Sequence, residues 1–240
     1  VIVARGIRHA IAFVVCRSKI VTCAALLSLS SVLTSASASA QLEPHDRAFW
    51  IGATAIIAGS AAFDEPLRRA AARNHSSFAN ALASDIDPLG RAHYLVPVLA
   101  AAVVVPRLAG HRDLSDVALR VALGYVAADA AESALKPLVG RHRPDSTGRP
   151  WRFHALARTE EWHSLPSAHT VHAFALAAGL AEETDHKWIA TLGYTVASVV
   201  ALQRVYTQAH WSSDVVVSAT LAVAASRSTI SALKRRAGKP

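Results

Sequence analysis

Apolar positions along this chain fall in blocks rather than alternating, and the blocks are separated by short polar, charged or proline-bearing stretches. Few segments show the period of two that a half-buried strand needs, so the pattern predicts helices. Phe49–Phe63 is an Ala/Ile-rich run. Asp64–Gly90 is polar, carries Arg68, Arg69 and Arg73, and reads as a short amphipathic helix plus a loop. His93–Pro106 is strongly apolar, and Ser115–Leu135 is a longer helix bearing Asp116, Arg120, Asp129 and Glu132. Gly140–Leu165 holds Pro144 and Pro150, with Pro137 and Pro166 at its edges, and reads as an ordered loop. Ser167–Ala181 and Trp188–Gln203 form a helical hairpin about Glu182–Lys187. A last helix runs from His210 to about Leu233 and ends in Lys234-Arg-Arg-Ala-Gly-Lys239-Pro. The expectation is an all-α bundle of about six core helices.

The uncharged runs are about 12 to 16 residues long, short of the ~18–20 that identify a membrane span. Yet Tyr94–Pro106 and Ile189–Leu202 are apolar on every face, where a soluble surface helix would show a polar stripe. Crossing parity favours the membrane. Two helices separate the second polar segment described below from the third, and none separates the first from the second, so all three share one side. Lys234–Lys239 and Arg107–Asp113 then fall on the other side, and their positive charge points to the cytoplasm. On this count Phe49–Phe63 cannot cross.

Composition adds a direction. Of 25 Lys and Arg residues, four (Arg5, Arg8, Arg17, Lys19) precede residue 41, as does none of the 17 acids, so the formal charge of +8 falls to +4 for the chain from residue 41 on. Arg17 and Lys19 precede the apolar stretch Ile20–Leu33, which runs into Ala38-Ser39-Ala40, an A-x-A cleavage pattern. Residues 1–40 are therefore expected to be a cleaved signal peptide, followed by a single domain over 41–240. Both cysteines, Cys16 and Cys23, lie in that leader, which leaves no disulfide in the remainder. The basic residues are scattered, with no aromatic-interleaved run, and nucleic acid is not an expected partner.

Three polar segments carry chemistry. Lys136-Pro-Leu-Val-Gly-Arg-His-Arg143-Pro144 offers a lysine at a helix end and an arginine on a proline-stiffened loop. Singly, these are two solvated cations. Pro166-Ser167-Ala168-His169 opens a helix; Ser167 can be an ordinary N-cap, or the helix start can present N–H groups and a positive dipole end to a phosphate. Arg204 closes one helix, while His210 and Asp214, four residues apart, are expected on one face of the next. They read as a surface ion pair or as a carboxylate orienting a nucleophilic imidazole. His169 and His172 lack a partner at a zinc-motif spacing, and no metal is expected.

In register, the three segments resemble the phosphatidic acid phosphatase type 2 family, which shares its fold with bacterial acid phosphatases and vanadium haloperoxidases. The family pattern is K-x6-R-P, P-S-G-H and S-R-x5-H-x3-D. Here Ala168 replaces the glycine and Gln203 the serine, and the likeness covers about 116–228. The resemblance implies a metal-independent phosphatase. His210 would be the nucleophile, Asp214 its orienter and His169 the acid and base. Lys136, Arg143, Ser167, Ala168 and Arg204 would hold the phosphoryl group, with vanadate as a look-alike occupant. It implies a phosphorylated lipid, or a small phosphate ester, as substrate. The expected location is an inner membrane with the site on the periplasmic face. The alternatives are a soluble periplasmic acid phosphatase, a vanadate-dependent haloperoxidase, which the short chain disfavours, and a non-catalytic membrane protein, which the presence of His169, His210 and Asp214 disfavours.

Overall fold

The structure, a computed structural model, describes residues 44–144 and 148–238; the expected leader lies outside the described residues. Among the described residues eight α-helices follow one another: α1 (Arg47–Ala61), α2 (Asp64–Arg73), α3 (Ser77–Ile86), α4 (Ala92–Leu108), α5 (Arg112–Val139), α6 (Ala168–Glu183), α7 (Lys187–Tyr206) and α8 (Ser212–Arg236). Short 3-10 turns stand at Asp87–Gly90 and Glu160–Trp162. Among the described residues the extended pairing is a single isolated bridge, Arg141 with Phe153. The all-α expectation holds, with six long helices.

Two boundaries differ from expectation. Asp64–Gly90 forms two ten-residue helices, not one. Asn74 ends α2, and Ser76 starts α3 by accepting a hydrogen bond from Ala79 N at 3.1 Å, the preferred chemistry of an N-cap. The helix expected over Ser115–Leu135 extends to Val139 and carries Pro137 within its last turn. It stops at Gly140, whose φ of +57° is left-handed and whose N–H caps Lys136 O at 3.1 Å. A Cβ there would stand 1.8 Å from His154 O, so both conformation and packing demand glycine.

The core lies among α5, α6, α7 and α8 and is built from small side chains: Ala128, Ala175, Ala178 and Ala222 are fully buried. Ala177 and Gly193 bring α6 and α7 together, and Gly124 lies against Ser226 and Ile230. Close approach through small residues is the packing mode of helices in lipid. The outer surface matches it. No residue of α4 is buried, and Val98, Val105 and Leu108 are 64%, 61% and 83% exposed. Leu119, Leu123 and Val126 on α5, and Trp188 and Leu192 on α7, also face outward. Among the described residues one helix, α8, is long and apolar enough to cross a membrane; α3 with its 3-10 turn and α4 qualify together as a pair bent by 46°.

At one end the helices are clasped by charge. Arg120 donates to both Glu183 oxygens at 2.8 and 2.6 Å, Arg227 to Glu182 at 3.1 Å, and Lys234 to the Glu182 carbonyl at 2.6 Å. The other end gathers the C-termini of α5 and α7 and the N-termini of α6 and α8. There α1 also ends: Ser212 Oγ donates to Ser60 O at 3.0 Å, while Phe49 at the start of α1 is part of the buried core. Thus α1 packs antiparallel to α8 as a member of the bundle.

Candidate active site

The three polar segments meet at that second end. Lys136 sits in the last turn of α5, paired with Glu132 one turn earlier. Arg143 lies on the following loop, donating through Nε to Glu160 O at 2.7 Å and through Nη2 to Glu160 Oε2 at 3.1 Å. Ser167 is the N-cap residue of α6 but makes no side-chain cap. Fully buried, its N–H donates to Ser218 Oγ at 2.7 Å and its hydroxyl accepts from Thr170 Oγ1 at 3.1 Å. Ala168 and His169 are the first two residues of α6. Arg204 reaches from the end of α7 to Asp87 Oδ1 at 2.7 Å. Its Nε, like His169 Nε2, is buried and without a hydrogen-bond partner.

His210 is the sharpest feature. It is buried, and its Nδ1 lies 2.6 Å from the carbonyl oxygen of Ser164. A carbonyl only accepts, so Nδ1 carries the proton and Nε2 keeps its lone pair. Burial, with Arg143 and Arg204 nearby, holds this imidazole well below the usual histidine range. His210 therefore presents a neutral imidazole, with its Nε2 lone pair free, in a cationic setting. His169 is pushed down to about 4, by burial first and then by Arg204, against the pull of Asp87. Arg204 thus faces both histidines.

The geometry of His210 and Asp214 differs from expectation. They do not share a helical face, because His210 lies in the turn before α8, with Trp211 as its N-cap. Asp214 Oδ2 takes the Trp211 N–H at 2.9 Å, the usual use of an acid in a first turn. Its distance to His210 Nδ1 is 4.0 Å. The contact to the ring comes from Ser164 instead, whose hydroxyl donates to Asp214 Oδ2 at 2.5 Å. Asp214 thus holds the residue that holds His210.

Sequence reasoning missed the charge beneath this arrangement. Arg141, inside the first segment, is 2% exposed. It donates to Asp214 at 2.5 Å, Ser213 Oγ at 2.8 Å, Asp64 at 2.7 Å and the Pro150 carbonyl at 2.9 Å. Asp64 also accepts from Ser212 Oγ, Ser213 N and Ser213 Oγ at 2.7 to 2.8 Å. Among the described residues no group of three His, Cys, Asp or Glu side chains gathers as a metal site.

A neutral nucleophilic imidazole, a second histidine and several cations can bind, attack and protonate a phosphate ester. Comparison with known proteins agrees on the family. The PAP2 superfamily profile matches residues 117–237. A lipid A 1-phosphatase of Porphyromonas gingivalis is 34% identical over 104 residues, which is 42% of this chain and 20% of that protein. This chain therefore corresponds to about a fifth of its length. Two solved structures share the fold. A transmembrane PAP2-type phosphatidylglycerolphosphate phosphatase from Bacillus subtilis has a TM-score of 0.59 and 19% identity, covering 88% of this chain and 96% of that one. Aquifex aeolicus LpxE has a TM-score of 0.57 and 18% identity, covering 70% and 95%.

Proposed function

The chain belongs to the PAP2 superfamily, and from that premise we propose that it is a lipid phosphate phosphatase working through a phosphohistidine. The observation that carries this is the Ser164 carbonyl on His210 Nδ1, which leaves Nε2 unprotonated. In the first step His210 Nε2 bonds to phosphorus and the bond from phosphorus to the alkoxy oxygen breaks. His169 supplies the proton that the leaving oxygen takes. In the second step His169 removes a proton from water, which attacks the phosphohistidine, and phosphate leaves with His210 restored. Lys136, Arg143, Ser167, the Ala168 N–H and Arg204 carry the charge on the equatorial oxygens, which such displacements spread widely.

The lipid reading rests on two supports. The relatives with named activities are a lipid A 1-phosphatase and a phosphatidylglycerolphosphate phosphatase. The outward side chains of α4, α5 and α7 form an apolar surface of the kind that marks contact with lipid. In this reading α4 and α8 cross the hydrocarbon, while the Asp87–Gly90 turn stands beside His169 at the bundle end. The two histidines stand at the bundle end, outside those segments, on the periplasmic face of an inner membrane.

The test is fractionation of the expressed chain, then phosphate release from a panel of lipid phosphates and from p-nitrophenyl phosphate. Membrane retention with activity on lipid phosphates supports the proposal. A soluble protein active only on the small ester overturns it.

A further inference from the structure

A second carboxylate–histidine assembly stands beside His169, on the face of α6 turned towards the 3-10 turn Asp87–Gly90. His172 Nδ1 lies 2.7 Å from the Gly90 carbonyl and its Nε2 lies 2.7 Å from Asp129 Oδ1. The two ring nitrogens thus bridge the Gly90 carbonyl and the Asp129 carboxylate. The imidazole clamps the turn to α5 and α6. Gly90 is pressed so closely on His169 that a Cβ would stand 2.6 Å from His169 Cβ. At the head of the turn, Asp87 Oδ1 lies 3.3 Å from His169 Nε2 and accepts from Arg204 Nη1 at 2.7 Å; Arg91 pairs with its other oxygen.

Charge explains why a carboxylate is needed here. His169 is faced by Arg204 from α7, by Arg91 beyond the turn, and by His172 on its own helix, with Asp129 of α5 behind His172. Asp87 is the anion that directly faces its Nε2. Without it, protonating His169 would add a positive charge to an uncompensated cationic cluster.

We infer that Asp87 is a positioning residue for the leaving-group step, the counter-ion that lets His169 carry the proton it donates, and that His172 and Asp129 are the latch holding it there. The inference rests on the phosphatase reading for its kinetic consequence and not for its electrostatic one. Asp87 does not touch the reacting atoms. It acts through His169, while its hold on Arg204 Nη1 leaves Arg204 Nε without a hydrogen-bond partner in the protein.

The experiment compares the full chain in detergent micelles with Asp87→Asn, and with Asp129→Asn as a variant at a partly exposed position. Ring NMR, assigned through His169→Gln, follows the His169 titration. In Asp87→Asn its midpoint should fall by about one unit or more; an unmoved midpoint overturns the inference whether or not the chain is a phosphatase. Kinetics are read on an alkyl phosphate and on p-nitrophenyl phosphate, whose leaving group needs little protonation. The expected result is a kcat loss of about tenfold or more on the alkyl ester, a smaller loss on the nitrophenyl ester, and no rise in KM. Equal losses on both esters, or a raised KM with kcat unchanged, overturn it, because Asp87 would then serve only to hold Arg204. Asp129→Asn should move both readouts the same way by less, also if Asp87→Asn fails to fold; no movement in either overturns the latch. Absence of hydrolysis by the unaltered chain on every ester would overturn the phosphatase reading and leave the NMR result to decide the electrostatic one.

Discussion

Replacing Arg141 with methionine removes the cation between two buried carboxylates while keeping most of its apolar volume. Asp64 would retain its hydrogen bonds from Ser212 and Ser213, and Asp214 those from Ser164 and Trp211. Both would lose their counter-charge in a site from which water is excluded. Breaking a buried ion pair from one side costs about 3–5 kcal/mol, and the surviving hydrogen bonds set the expectation at the lower end, ~3 kcal/mol. For a chain of this size each kcal/mol moves the midpoint by roughly 2–4 °C, a fall of about 6–12 °C in all. Thermal unfolding of the purified chain in micelles, followed by circular dichroism, measures it. Adding Asp64→Asn to Arg141→Met should recover part of the loss, because the two share one interaction and their effects are not additive. Arg141→Lys keeps the charge but not the fork that reaches Asp64 and Asp214 together, and should fall between. A drop below about 2 °C, or strict additivity in the double variant, would refute the claim that Arg141 neutralises both acids.

His210→Ala and His169→Ala should each lower hydrolysis by several orders of magnitude while the circular dichroism spectrum stays unchanged; a folded His210→Ala chain with full activity refutes the nucleophile. The lowered proton affinity of His210 means that it is neutral at neutral pH and gains a proton only well below 6.5. The acid limb of kcat/KM that reports its protonation should therefore lie below that pH, and a limb at or above it refutes the burial argument. Gly140→Ala forces a side chain into a left-handed residue 1.8 Å from His154 O. It should lower the unfolding midpoint by several degrees, since the conformation alone costs roughly 1–2 kcal/mol, and an unchanged midpoint in the same micelles counts against the packing described.

Helices and the three polar segments were legible because both are local: apolar blocks, prolines at the breaks, a fixed spacing between lysine, arginine and histidine. What was not legible is what distance along the chain conceals. Arg141 meets Asp64 across 77 positions and Asp214 across 73; in sequence, Asp64 is merely an acid at a helix start. The i, i+4 spacing of His210 and Asp214 suggested one helical face, but Asp214 caps the Trp211 N–H and so starts the helix after the histidine. That placed the histidine in a turn, where the Ser164 carbonyl takes the role expected of the carboxylate. Nor was the packing of α1 against α8 legible, because parity counts crossings and carries no information on which helix lies beside α8.

Every cation at the site already has a carboxylate of its own. Lys136 has Glu132, Arg143 has Glu160, Arg204 has Asp87, and Arg141 has Asp64 and Asp214. Of these acids Glu160 is the most open to solvent, its side chain 83% exposed, while Glu132 and Asp64 are walled in. An arriving phosphate therefore does not fill a bare positive hole. On the proposed reading it would trade places with Glu160 on Arg143 and take the unpartnered Nε of Arg204, and on its departure the glutamate would return. Such a pocket would work as an anion exchanger with a tethered counter-ion, the exposed glutamate standing ready to replace the product when it leaves.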